Sequence, residues 1–115
     1  MTTFLIVDDH AAFRQQARAL LEAEGLQVIG EAGDGPAAID AVRVLRPDVV
    51  LLDVGLPDLD GFAVACRLAE EPVPPRVILI SSREAWTFGP RLATSPTIGF
   101  IRKDDLSAAA LEALL

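Results

Sequence analysis

The 115-residue sequence predicts an α/β fold, a doubly wound five-stranded parallel sheet with helices on both faces. Three observations lead there. The runs "FLIV" (4–7), "VVLL" (49–52) and "VILI" (77–80) are apolar without the alternation of a strand wetted on one side, which marks strands covered on both faces. Amphipathic helical patterns lie between the runs, and strands alternating with helices through short, right-handed crossovers wind into a sheet of this kind. The chain is 51% hydrophobic, enough apolar material for one domain with a core of its own.

The elements follow in order. After "FLIV", the stretch "AAFRQQARALLEAEG" carries a 3.6-residue stripe of Phe13, Ala17, Leu20, Leu21 and Glu24, and Gly25 stands where a helix stops. "LQVIGEA" (26–32) is a more polar strand and so lies nearer an edge. "DGPAAIDAVRVLRPD" offers Asp34 near the N-cap, Pro36 in the first turn, an apolar face of Ala38, Ile39, Val42 and Leu45, and Pro47 as terminator. "VVLL" leads through a Pro- and Asp-rich turn, where Asp58 and Asp60 have turn and cap duty, into the helix "GFAVACRLAEE". Cys66 within it reads as a small buried hydrophobe. "VILI" is followed by "EAWTFGPRLATS", where Gly89 and Pro90 limit any helix to short pieces. "IGFI" (98–101) is the fifth strand and "LSAAALEALL" the last helix.

A formal net charge of −7 argues against nonspecific binding of nucleic acid or anionic membrane by this segment, since both need a basic surface. A single cysteine precludes an intrachain disulfide. The N-terminus has no basic flank and only a four-residue apolar run, so it reads as neither signal peptide nor membrane span. The expectation is a cytoplasmic protein.

In doubly wound sheets, ligands bind beyond the carboxyl ends of the strands. There the sequence places Asp8 and Asp9, Asp53, Ser81 and Ser82, and Arg102 and Lys103. Three carboxylates at one edge repel one another unless a cation joins them, and hard oxygen ligands suit Mg²⁺. A carboxylate beside Mg²⁺ can act as a nucleophile toward a phosphoryl group, giving an aspartyl phosphate. Lys103, the only lysine in the chain, supplies a compact positive contact and the Ser81 hydroxyl a hydrogen bond. An isolated acid pair is more often a solvated strand end; coincidence with Asp53 and Lys103 at matching ends favours the cluster. His10 reads as a helix-start residue without chemistry, because Mg²⁺ prefers oxygen.

The segments "LIVDDH", "RPDVVLLDVGLPDLDG", "VILISS" and "GFIRKDDL" resemble, in order and across essentially the whole chain, the receiver domain of two-component response regulators. "VDDH" and "GEAGDG" resemble the branch that usually carries a helix-turn-helix DNA-binding output domain. The resemblance implies a single receiver domain over 1–115 and a flavodoxin-like strand order 2-1-3-4-5. It implies Asp53 as phospho-acceptor, Asp9 as direct Mg²⁺ ligand, Asp8 as the acid holding metal water, and Gly55 as the residue whose carbonyl ligates the metal. Ser81 corresponds to the switch hydroxyl, Ser82 to its small neighbour, Lys103 to the phosphate counter-ion and Phe100 to the switch aromatic; as a residue alone, Phe100 is equally well plain core. The implied partners are a sensor histidine kinase or phosphotransfer protein, with a phosphorylation-dependent homodimer in prospect. The domain would catalyse its own phosphorylation and slow dephosphorylation.

Two rival classes lack a needed group. A hydrolase of the haloacid-dehalogenase type requires a second aspartate two residues after its nucleophile, where Gly55 stands; a flavodoxin-like mononucleotide binder needs a phosphate-cradling loop after the first strand, where "DDHAAF" presents negative charge. The sequence departs from the receiver pattern at Asp104, where the family has a cis-forming proline, at the serine in place of the commoner threonine at 81, and in "LATSPTIGF". Asp104 puts a second negative charge beside Lys103 and so is expected to weaken phosphoryl capture. A degenerate receiver acting as a constitutive interaction module is therefore the alternative.

Overall fold

The computed structural model describes residues 1–58 and 60–115. Strands β1 (Thr3–Val7), β2 (Gln27–Ala32), β3 (Val49–Asp53), β4 (Arg76–Ser81) and β5 (Gly99–Arg102) form one sheet in the order β2-β1-β3-β4-β5. Every neighbouring pair is parallel. The helices are α1 (Ala11–Ala23), α2 (Gly35–Leu45), α3 (Gly61–Ala69), α4 (Pro90–Thr94) and α5 (Ala108–Leu114), with 3₁₀ turns at Ala85–Phe88 and Lys103–Asp105.

The continuous apolar runs are explained by where consecutive side chains go. Phe4, Ile6, Val49, Leu51, Ile78 and Ile80 point to one face, where Ala17 and Leu21 of α1 and Leu111 of α5 cover them. Leu5, Val7, Val50, Leu52, Val77 and Leu79 point to the other, under Ala38 and Val42 of α2 and Ala65 and Leu68 of α3. Both faces of β1, β3 and β4 are dry, and each fully buried large aliphatic chain contributes about 1.5–3 kcal/mol. On β2, at the edge, only Val28 and Ala32 are buried.

Local chemistry sets the helix ends. Asp34 Oδ1 accepts a 2.8 Å hydrogen bond from the Ala37 amide, and Asp60 Oδ1 accepts one of 2.8 Å from the Ala63 amide. Gly25, at φ 91°, takes the left-handed turn beyond α1. Gly89, at φ 56° and ψ −140°, separates the 3₁₀ turn from the five-residue α4, as its position before Pro90 suggests. Among the described residues, no helix is long and apolar enough to cross a membrane.

Three core assignments are corrected. Leu20 is 42% exposed, because α1 meets the sheet along the line of Ala17 and Leu21 and the next residue is rotated about 100° away. Leu45 is also 42% exposed at the last turn of α2; only its tip covers β2, with Cδ1 2.7 Å from where a Cβ on Gly30 would stand. Cys66 is exposed rather than buried, since the inward positions of α3 are 61, 62, 64, 65 and 68 and residue 66 falls on the outer face.

Candidate functional site

Strand register brings the site together. Val7 pairs with Leu52, Asp53 with Ile80, and Ser81 with Arg102, so β1, β3, β4 and β5 end nearly level. The residues that leave the strands there, Asp8 and Asp9, Asp53, Ser81 and Ser82, and Lys103, meet at one sheet edge. Asp8 is fully buried, and Asp53 and Ser81 are buried with it.

Backbone groups hold the acids. The Asp8 amide donates to the Ala32 carbonyl at 3.0 Å, and Asp8 Oδ1 accepts from the His10 amide at 2.8 Å. Asp53 Oδ1 accepts from the Gly55 amide at 3.2 Å. Lys103 Nζ forms an ion pair with Asp8 Oδ2, lies 3.6 Å from Asp53 Oδ1, and rests 4.5 Å over the ring of Phe13. Burial first, and then the negative charge of Asp8, hold the Asp53 carboxyl above the usual carboxylate range, while Lys103 and the Gly55 N–H offset part of that rise.

One donor atom each from Asp8, Asp9, His10 and Asp53 lies within 4.8 Å of the others. Asp8 Oδ2 is buried and accepts no hydrogen bond among the described residues, so the ammonium of Lys103 is what meets its charge. Three carboxylates against one ammonium leave a surplus that a divalent cation balances, and the oxygen-rich donor set suits a hard ion such as Mg²⁺. Over Asp53 opens a cleft of about 370 Å³, walled by His10, Gly55, Ser81, Ser82, Arg83, Phe88 and Lys103.

Asp104 faces away from the acid cluster. Its side chain is 80% exposed and pairs with Arg102 Nη2 at 3.2 Å, while Lys103 turns inward to Asp8 and Asp53. Consecutive residues of the 3₁₀ turn project in different directions, and Arg102, which also reaches Glu84 at 3.0 Å, offers Asp104 a partner on the outside. Phe100 is half-buried and packs 5.8 Å from Phe88, which packs 5.8 Å from Phe62 in turn. Phe88, rather than Phe100, walls the cleft.

Several contributors escaped the sequence reading. Arg14 donates from Nη1 to the Asp8 carbonyl at 2.5 Å and from Nε to Glu31 at 3.1 Å, bracing the loop that carries the acids. Its signal was an arginine one helical turn into α1. Phe13, read only as stripe, seats the lysine. Gly61 closes α3 against the acceptor loop: its amide donates to the Val54 carbonyl at 2.8 Å, and a Cβ there would stand 2.7 Å from Val54 Cα and closer still to the Asp53 carbonyl. His10, set aside as a helix start, lies on the acids with Nδ1 3.2 Å from both Asp8 Oδ1 and Asp9 Oδ1.

The family pattern of the response regulator receiver domain matches residues 4–114. The chain belongs to this family. As a receiver it is similar to a Pseudomonas aeruginosa protein described as a transcriptional regulator, with 36% identity over 98% of this chain and 55% of that protein. It is similar to the transcription regulator BvgA of Bordetella pertussis, with 38% identity over 88% of this chain and 48% of BvgA. The signal receiver domain of the response regulator NarL from Mycobacterium tuberculosis superposes with a TM-score of 0.86 at 32% identity, covering 98% of this receiver and 95% of that chain. The receiver spans about half the length of the curated relatives it matches.

Proposed function

We propose that this receiver is operated by phosphorylation at Asp53. The observation that carries the reading is the placing of a buried Asp53 carboxylate under an open cleft, with Asp8 beside it and the Lys103 ammonium 3.6 Å from its Oδ1. A phosphohistidine on a sensor histidine kinase or phosphotransfer protein is the donor: the P–N bond breaks, a bond forms from an Asp53 carboxylate oxygen to phosphorus, and imidazole leaves with the bonding electron pair and takes up a proton. Asp8, Asp9, Asp53 and the Gly55 carbonyl would hold Mg²⁺, which would supply charge neutralisation for the acids and the phosphoryl oxygens. Lys103 turns its ammonium from the carboxylates to the phosphoryl group, and Ser81 hydrogen-bonds a phosphoryl oxygen, exchanging the 3.0 Å contact in which its Oγ accepts from the Arg83 amide. Ser82 leaves room for the group.

The movement of Ser81 and Lys103 is coupled to the face made by the 3₁₀ turn, α4, β5 and α5, because these two residues end the strands bordering it; Phe100 is the switch aromatic within that face. The consequence is a changed protein-binding surface, a homodimer among its forms. In a longer cytoplasmic protein the receiver would govern transcription through a separate output segment, as the description of its relatives suggests, while this segment itself leaves nucleic acid alone. Slow hydrolysis of the acyl phosphate returns the site to its ground state.

Phosphoramidate, whose P–N bond stands in for phosphohistidine, tests the chemistry. In the presence of Mg²⁺ the chain should gain one phosphoryl group that hydroxylamine removes, as it does from an acyl phosphate. No gain, or a gain that resists hydroxylamine, would favour a receiver used as a constitutive interaction module.

A further inference from the structure

His10 occupies the N-cap position of α1, yet its side chain caps nothing. The ring lies over the acids instead, with Nδ1 3.2 Å from Asp8 Oδ1 and 3.2 Å from Asp9 Oδ1. Two donor atoms on one first-row ion, with bonds of about 2.1 Å at a right angle, stand about 3 Å apart. Nδ1 thus already holds the spacing of a neighbouring ligand to either acid. The four donor atoms of Asp8, Asp9, His10 and Asp53 span 4.8 Å, against about 4.2 Å for two ligands on opposite sides of such an ion, so small rotations close them on one centre. The His10 side chain is 71% exposed and has room for that rotation. Asp8 is fully buried, and its Oδ2 carries the ion pair with Lys103, so Oδ1 is the oxygen it presents beside Nδ1.

We infer that His10 Nδ1 is a nitrogen ligand in this site, and that it gives the receiver a binding site for first-row transition-metal dications, of the Co²⁺ and Ni²⁺ class, whose affinity depends on the imidazole while that for Mg²⁺ does not. The inference rests on the cation-binding reading of the acids given above. Mg²⁺ takes oxygen ligands and parts reluctantly with its water, so an imidazole offers it little. Ions later in the first row bind imidazole well, and their affinity for mixed nitrogen and oxygen sites rises from Mn²⁺ to Cu²⁺. A carboxylate pair alone would grade these ions by charge and size; an adjacent nitrogen adds a term that only the transition metals feel.

Calorimetric titration with CoCl₂ and MgCl₂ in parallel tests this, on the tag-free chain carrying Cys66→Ser so that the exposed thiol cannot compete. His10→Ala and His10→Gln should each weaken Co²⁺ binding by about tenfold or more, at least what loss of an outer-shell partner costs a metal site, and leave Mg²⁺ binding unchanged. His10 is the only histidine, so the one set of imidazole NMR signals should show a large paramagnetic shift with Co²⁺. Equal losses for both ions, full Co²⁺ affinity in His10→Gln, or an unshifted ring with Co²⁺ bound would overturn the assignment. A parent chain that binds neither ion would overturn the cation site itself. These titrations need no phosphoryl donor, so labelling of Asp53 in the parent chain judges the reading beneath this one separately.

Discussion

Lys103 Nζ lies 3.6 Å from Asp53 Oδ1 while forming its ion pair with Asp8. One cation therefore serves two carboxylates from the ends of different strands, and it lies 4.5 Å over the ring of Phe13. Lys103→Met keeps the aliphatic length and removes the charge. Its rate of labelling by acetyl phosphate should fall by about 10²-fold, as when one donor to a developing negative charge is lost. An intact-mass time course reads it, and a rate close to the parent's would show that the lysine is only a structural counter-ion.

Asp53→Asn should stabilise the metal-free protein at neutral pH. Burial and the charge of Asp8 hold the Asp53 carboxyl above its ordinary range, so ionising it costs the folded state more than the unfolded one. That cost is absent below the unfolded pKa and complete above the folded pKa. The variant should thus melt higher at pH 7, and the advantage should vanish in acid. Melting curves in chelator across pH give the comparison; a variant that melts lower at pH 7 would contradict it.

Gly61→Ala and Gly55→Ala should behave differently although both flank the acceptor loop. A Cβ at 61 would meet Val54 Cα at 2.7 Å, whereas a Cβ at 55 has nothing within 4 Å. The first substitution should cost about 1–3 kcal/mol through overpacking against backbone and the second less than about 0.5 kcal/mol. Urea denaturation distinguishes them, and equal stabilities would mean the loop yields freely.

Much of this was legible before the structure, for physical reasons. A strand covered on both faces can carry only apolar side chains, so β1, β3 and β4 declare themselves, and the first polar residue after each run must be at the sheet edge; that placed Asp8, Asp53 and Ser81. Side-chain direction was less legible. Asp104 follows Lys103 in the chain but belongs to Arg102 in space, and only the turn geometry decides that. Cys66 looked apolar and proved external because one residue along a helix is about 100° of rotation. In the sequence His10 reads as a helix start, and the distance of its ring from the acids is a property of the loop conformation that the sequence does not carry.

Arg91 connects α4 to α3, with Nη2 2.5 Å from Asp60 Oδ2 and the guanidinium 4.4 Å over the ring of Phe62. Both partners of the ion pair are substantially exposed, so Arg91→Ala should change stability by less than about 1 kcal/mol. It should nonetheless speed amide exchange over residues 85–95, because the short α4 loses a tether, and leave α3 protected, because Asp60 still caps the Ala63 amide. Unchanged exchange over 85–95 would show that the packing of Phe88 and Leu92 holds α4 unaided.

The most direct measurement is intact mass and peptide mapping after incubation with acetyl phosphate, for the parent chain and Asp53→Asn, with Mg²⁺ and with chelator. A single phosphoryl group on the peptide containing Asp53, abolished by the substitution and strongly reduced by the chelator, is the predicted result. Labelling of Asp53→Asn equal to the parent, or labelling indifferent to chelation, would contradict the assignment of Asp53 as the acceptor in a metal-dependent receiver.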